Sequence, residues 1–201
     1  MLYLITGSDR FRVQEATTAI LKQQQAQRQT FGEGELSDAV ATAMTPALFG
    51  KIAAVCTAKS LKPESEKLLK HASPDLPNPL ILEVESLDGR TRIAKALKAK
   101  AQCQQFDLIP NWDRKALTAE VLRRSRLLGL TLATDCLEYL VEAVGNNLGR
   151  MQQELELLAT YSPTVTLETL QVLVPNLAQS AFQMADSLRT GDAASTIEIC
   201  R

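Results

Sequence analysis

Apolar residues follow two rhythms along this chain. In the first half, short apolar runs alternate with stretches in which apolar positions recur every three or four residues. The runs are Leu2-Tyr-Leu-Ile-Thr6, which stops at Gly7; Lys51–Cys56, with Ile52, Ala53, Ala54 and Val55; and Leu80-Ile-Leu-Glu-Val84. Each reads as a buried strand, because a run that is apolar at successive positions has both faces covered. Cys103–Phe106 is expected to add a fourth short strand. Between the runs the spacing predicts helices. The first is capped by Ser8 or Asp9 and reaches about Gln25, with Val13, Ala16, Ile20 and Leu21 on one face. Others are predicted over 36–44, 63–72 and Thr91–Ala101, while the three prolines in Ser73–Pro79 mark a loop.

Strands alternating with helices argue for an α/β unit with a mostly parallel sheet, over residues 1 to about 110. After Ile109-Pro-Asn-Trp112 the rhythm becomes helical throughout. The predicted helices cover 113–128, 134–145, 147–160 and 167–174, punctuated by Gly129, Gly145 and Ser162-Pro163. Pro175-Asn176 closes this helical module. Two more helices are predicted from about residues 178 and 192, and the second runs to Arg201 without a stop signal. The expected domains are therefore 1–112, 113–176 and a truncated 177–201.

Composition changes this picture little. With 201 residues, 45% hydrophobic and 22% charged, the chain can bury a core without disulfides or metals. Cys56, Cys103, Cys136 and Cys200 are far apart and form no CxxC; three have apolar neighbours, so buried free thiols are expected. No run approaches the roughly 20 apolar residues of a membrane span. The chain shows no basic leader, and a cytoplasmic location is the expectation.

Charge is uneven. It is −2 over residues 1–89, +7 over 90–126 and −6 over 127–201, within a net −1. In the basic segment Arg92, Lys95 and Lys98 are spaced three apart, opposite Ile93 and Leu97, and Arg123, Arg124 and Arg126 cluster on the next helix. Two readings stay open: a solvated helix face, which is the commoner cause, and contact with nucleic-acid phosphates.

Catalytic signatures are weak throughout. A phosphate-binding loop needs glycines to let backbone N–H groups wrap a phosphate, a lysine, and a hydroxyl for magnesium. The segment Gly7-Ser-Asp-Arg-Phe-Arg12 has one glycine, no lysine, and an acid where phosphate would sit; Arg10 and Arg12 lie on the following helix. Glu83 and Glu85 have the spacing that puts both on one strand face, but exposed strand-end acids are the expectation. There is no GxGxxG for a dinucleotide. His71, the single histidine, sits near Lys67 and Lys70 and reads as a capping or surface residue. One histidine and scattered cysteines give no zinc site. Neither a metal nor a cofactor is expected, and the chain reads as a scaffold or binding protein.

One apolar feature stands apart. Met44-Thr-Pro-Ala-Leu-Phe-Gly50 is bounded by Pro46, which biases Thr45 away from helix, and by Gly50, which permits a sharp exit. Adjacent side chains on a helical turn point about 100° apart, so Leu48 and Phe49 rarely share one core face. Either both fold inward or both project toward a partner as anchors.

These pieces, in this order, resemble bacterial DNA polymerase III delta subunits. The resemblance is carried by the opening Leu2–Asp9, by Pro46–Val55, by Leu80–Arg92, by Trp112 and Arg126–Leu130, by Val144–Leu148, by Gln153–Leu158 and by Ala181–Asp192. It covers nearly the whole chain and rests on order and spacing rather than on one diagnostic motif. It implies an α/β AAA+-like (P-loop NTPase-type) domain, a helical lid domain and the start of a helical collar domain, without a working ATP site. It implies a subunit that binds and opens the ring-shaped sliding clamp (the beta subunit) for loading on primed DNA. Clamp-loader ATPase subunits and a delta-prime subunit are then its partners. The holoenzyme is a DNA-directed DNA polymerase, but no polymerase chemistry is expected here. Leu48 and Phe49 match the apolar pair that enters the clamp's pocket, flanked by Met44, Thr45 and Pro46. Clamp-binding motifs often begin with glutamine, and this sequence departs from that at Met44. The competing readings are an active AAA+ ATPase, a helical adaptor unrelated to replication and a nucleotide-using transferase.

Overall fold

A computed structural model describes residues 1–61, 75–176 and 188–189. The helices expected over 63–72 and from about residues 178 and 192, apart from Leu188 and Arg189, lie outside the described residues, as do His71 and Cys200. The chain forms two compact units, Met1–Leu108 and Ile109–Arg201.

The first unit runs β1 (Leu2–Thr6), α1 (Arg10–Gln24), β2 (Ala26–Phe31), α2 (Leu36–Met44), β3 (Lys51–Ala58), β4 (Leu80–Val84), α3 (Arg92–Lys100) and β5 (Gln102–Gln105). The strands form one sheet in the order β2-β3-β4-β1-β5, and every pair is parallel. Side chains alternate between the two faces of a strand, so neighbouring residues enter different cores. Leu2, Leu4, Ala54, Cys56, Leu80, Leu82 and Val84 pack with Leu36, Ala39, Val40 and Ala43 of α2 and with Ile93 and Leu97 of α3. Tyr3, Ile5, Ala53, Val55 and Ile81 pack on the other face against Val13 and Ile20 of α1. Burying one such aliphatic side chain contributes about 1.5–3 kcal/mol. That explains why the interior strands are apolar at nearly every position.

The polar strand β2 departs from the expected elements. Its sequence is Ala26-Gln-Arg-Gln-Thr-Phe31, and only Phe31 is buried. It sits at the sheet edge, pairing β3 alone, so its register (Ala26 opposite Lys51, Phe31 opposite Cys56) is held by backbone bonds rather than by an apolar run. β5 lies at the other edge, with all four of its residues exposed.

The second unit contains α4 (Arg114–Leu127), α5 (Thr134–Val144), α6 (Leu148–Tyr161) and α7 (Leu167–Leu173). Leu117 and Val121, Leu137, Leu140 and Val141, Met151, Leu155 and Leu158, and Leu170 supply one face from each helix to a shared core. Caps set the boundaries. Asp113 accepts from the Ala116 N–H and Asn147 from the Arg150 N–H. At the end of α4, Gly129 takes φ 74°, and Leu130 N–H reaches back to Ser125 C=O at 2.9 Å, the bond pattern of a Schellman stop.

Candidate functional site

The end of α2 sets up the exposed loop. Thr45 is extended (φ −93°, ψ 118°), as a residue preceding proline prefers, and Gly50 turns the chain into β3 with φ 68°. Between them Leu48 is 93% exposed and Phe49 92%. Both side chains project into solvent, so the inward-packed alternative does not hold. Met44, Thr45 and Pro46 are exposed beside them. A partner that buried both side chains would gain about 1.5–3 kcal/mol from each.

The turn between β1 and α1 is where a phosphate loop would lie. Two of its amides are engaged within the protein. Gly7 N–H donates to Val84 C=O at 3.2 Å and Asp9 N–H to Phe106 C=O at 3.1 Å. Asp9 is buried, caps α1 by accepting from Arg12 N–H, and accepts from Arg12 Nε at 2.8 Å. Arg12 also donates to the Asp107 carbonyl and lies over the Phe106 ring. Gly7 has φ 131°, and a Cβ there would stand 2.0 Å from Phe106 O, so the turn is packed directly against the backbone of Phe106, which follows β5.

Glu83 corrects an expectation. It is not an exposed strand-end acid but is 7% exposed. It projects from β4 on the same face as Ile5 and Thr57, its register partners. Thr17 Oγ1 of α1 donates to one carboxylate oxygen at 2.6 Å and Thr57 Oγ1 of β3 to the other at 3.1 Å, while Arg28 of β2 lies 3.8 Å away. Glu85 is exposed, 3.9 Å from Arg10. Glu83, Glu85, Arg10, Arg28 and Thr57 border a cleft of about 400 Å³ at the carboxyl ends of the strands, with Gly7, Gln14 and Lys59. Ligand crevices in parallel sheets lie at this end. Here α1 is instead tied to the sheet by a buried carboxylate.

The basic residues divide. Arg92, Lys95 and Lys98 are exposed along α3, which Thr91 caps. Arg124 does not fit a phosphate-facing role. It is 2% exposed, donates to Glu120 at 2.7 Å and to Gln152 at 2.9 Å, and joins α4 to α6. Arg123 is more exposed and makes a two-pronged contact with the same Glu120 carboxylate. Burial alone would raise the Glu120 pKa, but hydrogen bonds and charge from Arg123 and Arg124 outweigh it and hold the carboxyl below its usual value.

Among the cysteines, Cys56 and Cys136 are buried and their thiol pKa values are raised, first by burial. Nearby Glu35 and Glu83 add to the effect at Cys56, which makes it a poor nucleophile. Cys103 is exposed on β5. Among the described residues, no group of three or more His, Cys, Asp or Glu side chains is placed to hold a metal ion.

Sequence reasoning missed Asn78. It is 2% exposed, and its side chain reaches both ends of the exposed loop. It lay inside a proline-rich stretch read only as loop. Its one sequence signal was an asparagine held between two prolines immediately before a buried strand.

No protein-family model matches this sequence, and no curated protein matches it. Among solved structures, the chain is similar to the DNA clamp loader delta protein of Bacillus subtilis (YqeN), with a TM-score of 0.73 and 20% sequence identity. The match covers 98% of this chain and 65% of that protein, so the chain spans less than two thirds of its structural neighbour's length. At this identity the likeness is one of architecture: the chain has the fold of a clamp loader delta protein.

Proposed function

We propose that this chain is the wrench subunit of a DNA clamp loader: it binds the sliding clamp and opens one of its interfaces. The observation that carries the reading is the outward projection of Leu48 and Phe49 from the short turn between α2 and β3, on a fold shared with a clamp loader delta protein. Leu48 and Phe49 enter a hydrophobic pocket on the clamp, with Met44, Thr45 and Pro46 around them. Opening follows if the chain binds the distorted interface more tightly than the closed one, since only differential affinity shifts that equilibrium.

The chain takes no nucleotide at Gly7–Arg12 in this proposal, because the Gly7 and Asp9 amides are already hydrogen-bonded within the protein. ATP hydrolysis belongs to other loader subunits, which with a delta-prime subunit are its partners in the cytoplasm. Polymerase chemistry belongs to the holoenzyme. Primed DNA reaches the chain through the complex, facing Arg92, Lys95 and Lys98. No helix among the described residues is long and apolar enough to cross a membrane.

Ring opening tests the wrench action. A sliding clamp with a fluorophore pair across one interface is expected to lose energy transfer when titrated with the chain, without ATP. Unchanged transfer in a clamp that has bound the chain would remove opening from the proposal. Magnesium–ATP titration of the chain is expected to show no saturable binding, whereas turnover of ATP would favour an active ATPase.

A further inference from the structure

An anchor pair that is more than nine-tenths exposed is not held in place by its own packing, so its presentation depends on the stems of its loop. Those stems are the last turn of α2 and the first residues of β3. Asn78 lies between them. Its Oδ1 accepts from the Ile52 N–H of β3 at 3.2 Å. Its Nδ2 donates to Thr42 C=O at 3.2 Å and to Thr45 C=O at 2.8 Å, and its backbone N–H donates to Ala43 C=O at 3.2 Å. One buried residue thus donates to three carbonyls at the end of α2, of which Thr42 C=O also accepts from the Thr45 N–H. The same carboxamide fastens that helix end to the start of the next strand.

The chemistry selects asparagine. The site needs two donors and one acceptor on a planar group of this length. A carboxylate has no donor, and a glutamine carries its amide one methylene further. Asn78 fixes both stems, Pro46 fixes its own φ and Gly50 turns at φ 68°, so Ala47, Leu48 and Phe49 form a short segment closed at its base. A binding segment ordered before it meets its partner loses less entropy on docking.

We infer that Asn78 is a positioning residue of the docking loop. It touches no partner itself and sets the affinity of Leu48 and Phe49 by closing the base of the loop. The inference rests on the docking role proposed for that pair.

The test compares wild-type chain, Asn78→Asp, Asn78→Ala and a control, Ile20→Ala, whose side chain packs on α1 against the opposite face of the sheet. Two quantities are read: backbone order parameters at 47–50 in the free chain, and Kd for the sliding clamp. In both Asn78 variants the order parameters are expected to fall below about 0.6, the range of mobile backbone. Their clamp affinity is expected to drop about tenfold through lost pre-organisation. Ile20→Ala, chosen to lose at least as much stability, is expected to change neither. Wild-type loop order in the Asn78 variants overturns the inference, and so does an equal effect in Ile20→Ala. If the variants do not fold, the wild-type chain decides: the Asn78 carboxamide protons are expected to exchange slowly, and fast exchange rules out the clasp. If wild-type chain fails to bind the clamp, the docking role falls, while the order parameters still decide whether Asn78 fixes the loop.

Discussion

The Thr17 hydroxyl donates to the Glu83 carboxylate at 2.6 Å, joining the middle of α1 to the central strand β4 inside the protein. Thr57 supplies a second donor and Arg28 a nearby positive charge, so the acid is stabilised by groups from three neighbouring elements. Thr17→Val keeps the shape and removes one donor. A buried carboxylate deprived of a hydrogen bond costs about 1–3 kcal/mol. Urea unfolding of the chain is expected to show a loss in that range. A change under a few tenths would mean that Glu83 finds another donor.

Gly7→Ala is expected to be more damaging than its size implies. The added methyl would meet the backbone of Phe106 at 2.0 Å, in a conformation (φ 131°) that residues with a side chain rarely adopt. Only a shift of the Phe106 backbone after β5 or of the turn relieves that overlap. The expected cost is about 3 kcal/mol or more, read as a lowered unfolding midpoint. An unchanged midpoint would mean that β5 moves freely at this edge.

The Glu120 pair gives the helical unit a pH dependence. Its carboxyl titrates below the usual value in the folded protein, so its contribution is fully present above the ordinary carboxylate range. That contribution is lost as pH falls through the depressed folded value. Thermal unfolding of the chain is expected to show a Tm that declines with acidification in this range, and less steeply in Glu120→Gln. Glu120→Ala removes a carboxylate that buried Arg124 donates to and is expected to lower stability by about 1–3 kcal/mol. Identical acid profiles for wild type and Glu120→Gln would exclude this group as the source.

On α3, Lys95 and Lys98 give a salt-dependence test. If they meet DNA phosphates, Lys95→Gln with Lys98→Gln is expected to flatten the logarithmic salt dependence of loader binding to primed DNA by up to about 2. An unchanged slope would return them to a solvated face.

The sequence made visible what hydrophobic rhythm encodes. β1, β3 and β4 are buried on both faces, so their apolar runs stand out, and the helices described in the second unit each bury one spaced face. β2 was silent because an edge strand needs one buried side, and Phe31 alone supplies its buried end. Arg124 looked like its neighbour Arg123 because a charge cluster does not reveal which member a helix turns inward. The chain placed Leu48 and Phe49 between Pro46 and Gly50, but local spacing left their direction open. Asn78 and Thr17 were hidden for a different reason: both act through partners distant in the chain, at Ile52 and Glu83.

The most direct measurement is equilibrium binding of the chain to its sliding clamp, beside a Leu48→Ala/Phe49→Ala double variant. Both residues are more than nine-tenths exposed, so the substitutions are expected to leave the fold intact, which circular dichroism checks. A hot-spot side chain contributes at least about 2 kcal/mol, so the account predicts a Kd raised about 30-fold or more. Equal binding by the variant would contradict the assigned anchors, and a folded wild-type chain that does not bind the clamp would contradict the clamp-loader reading itself.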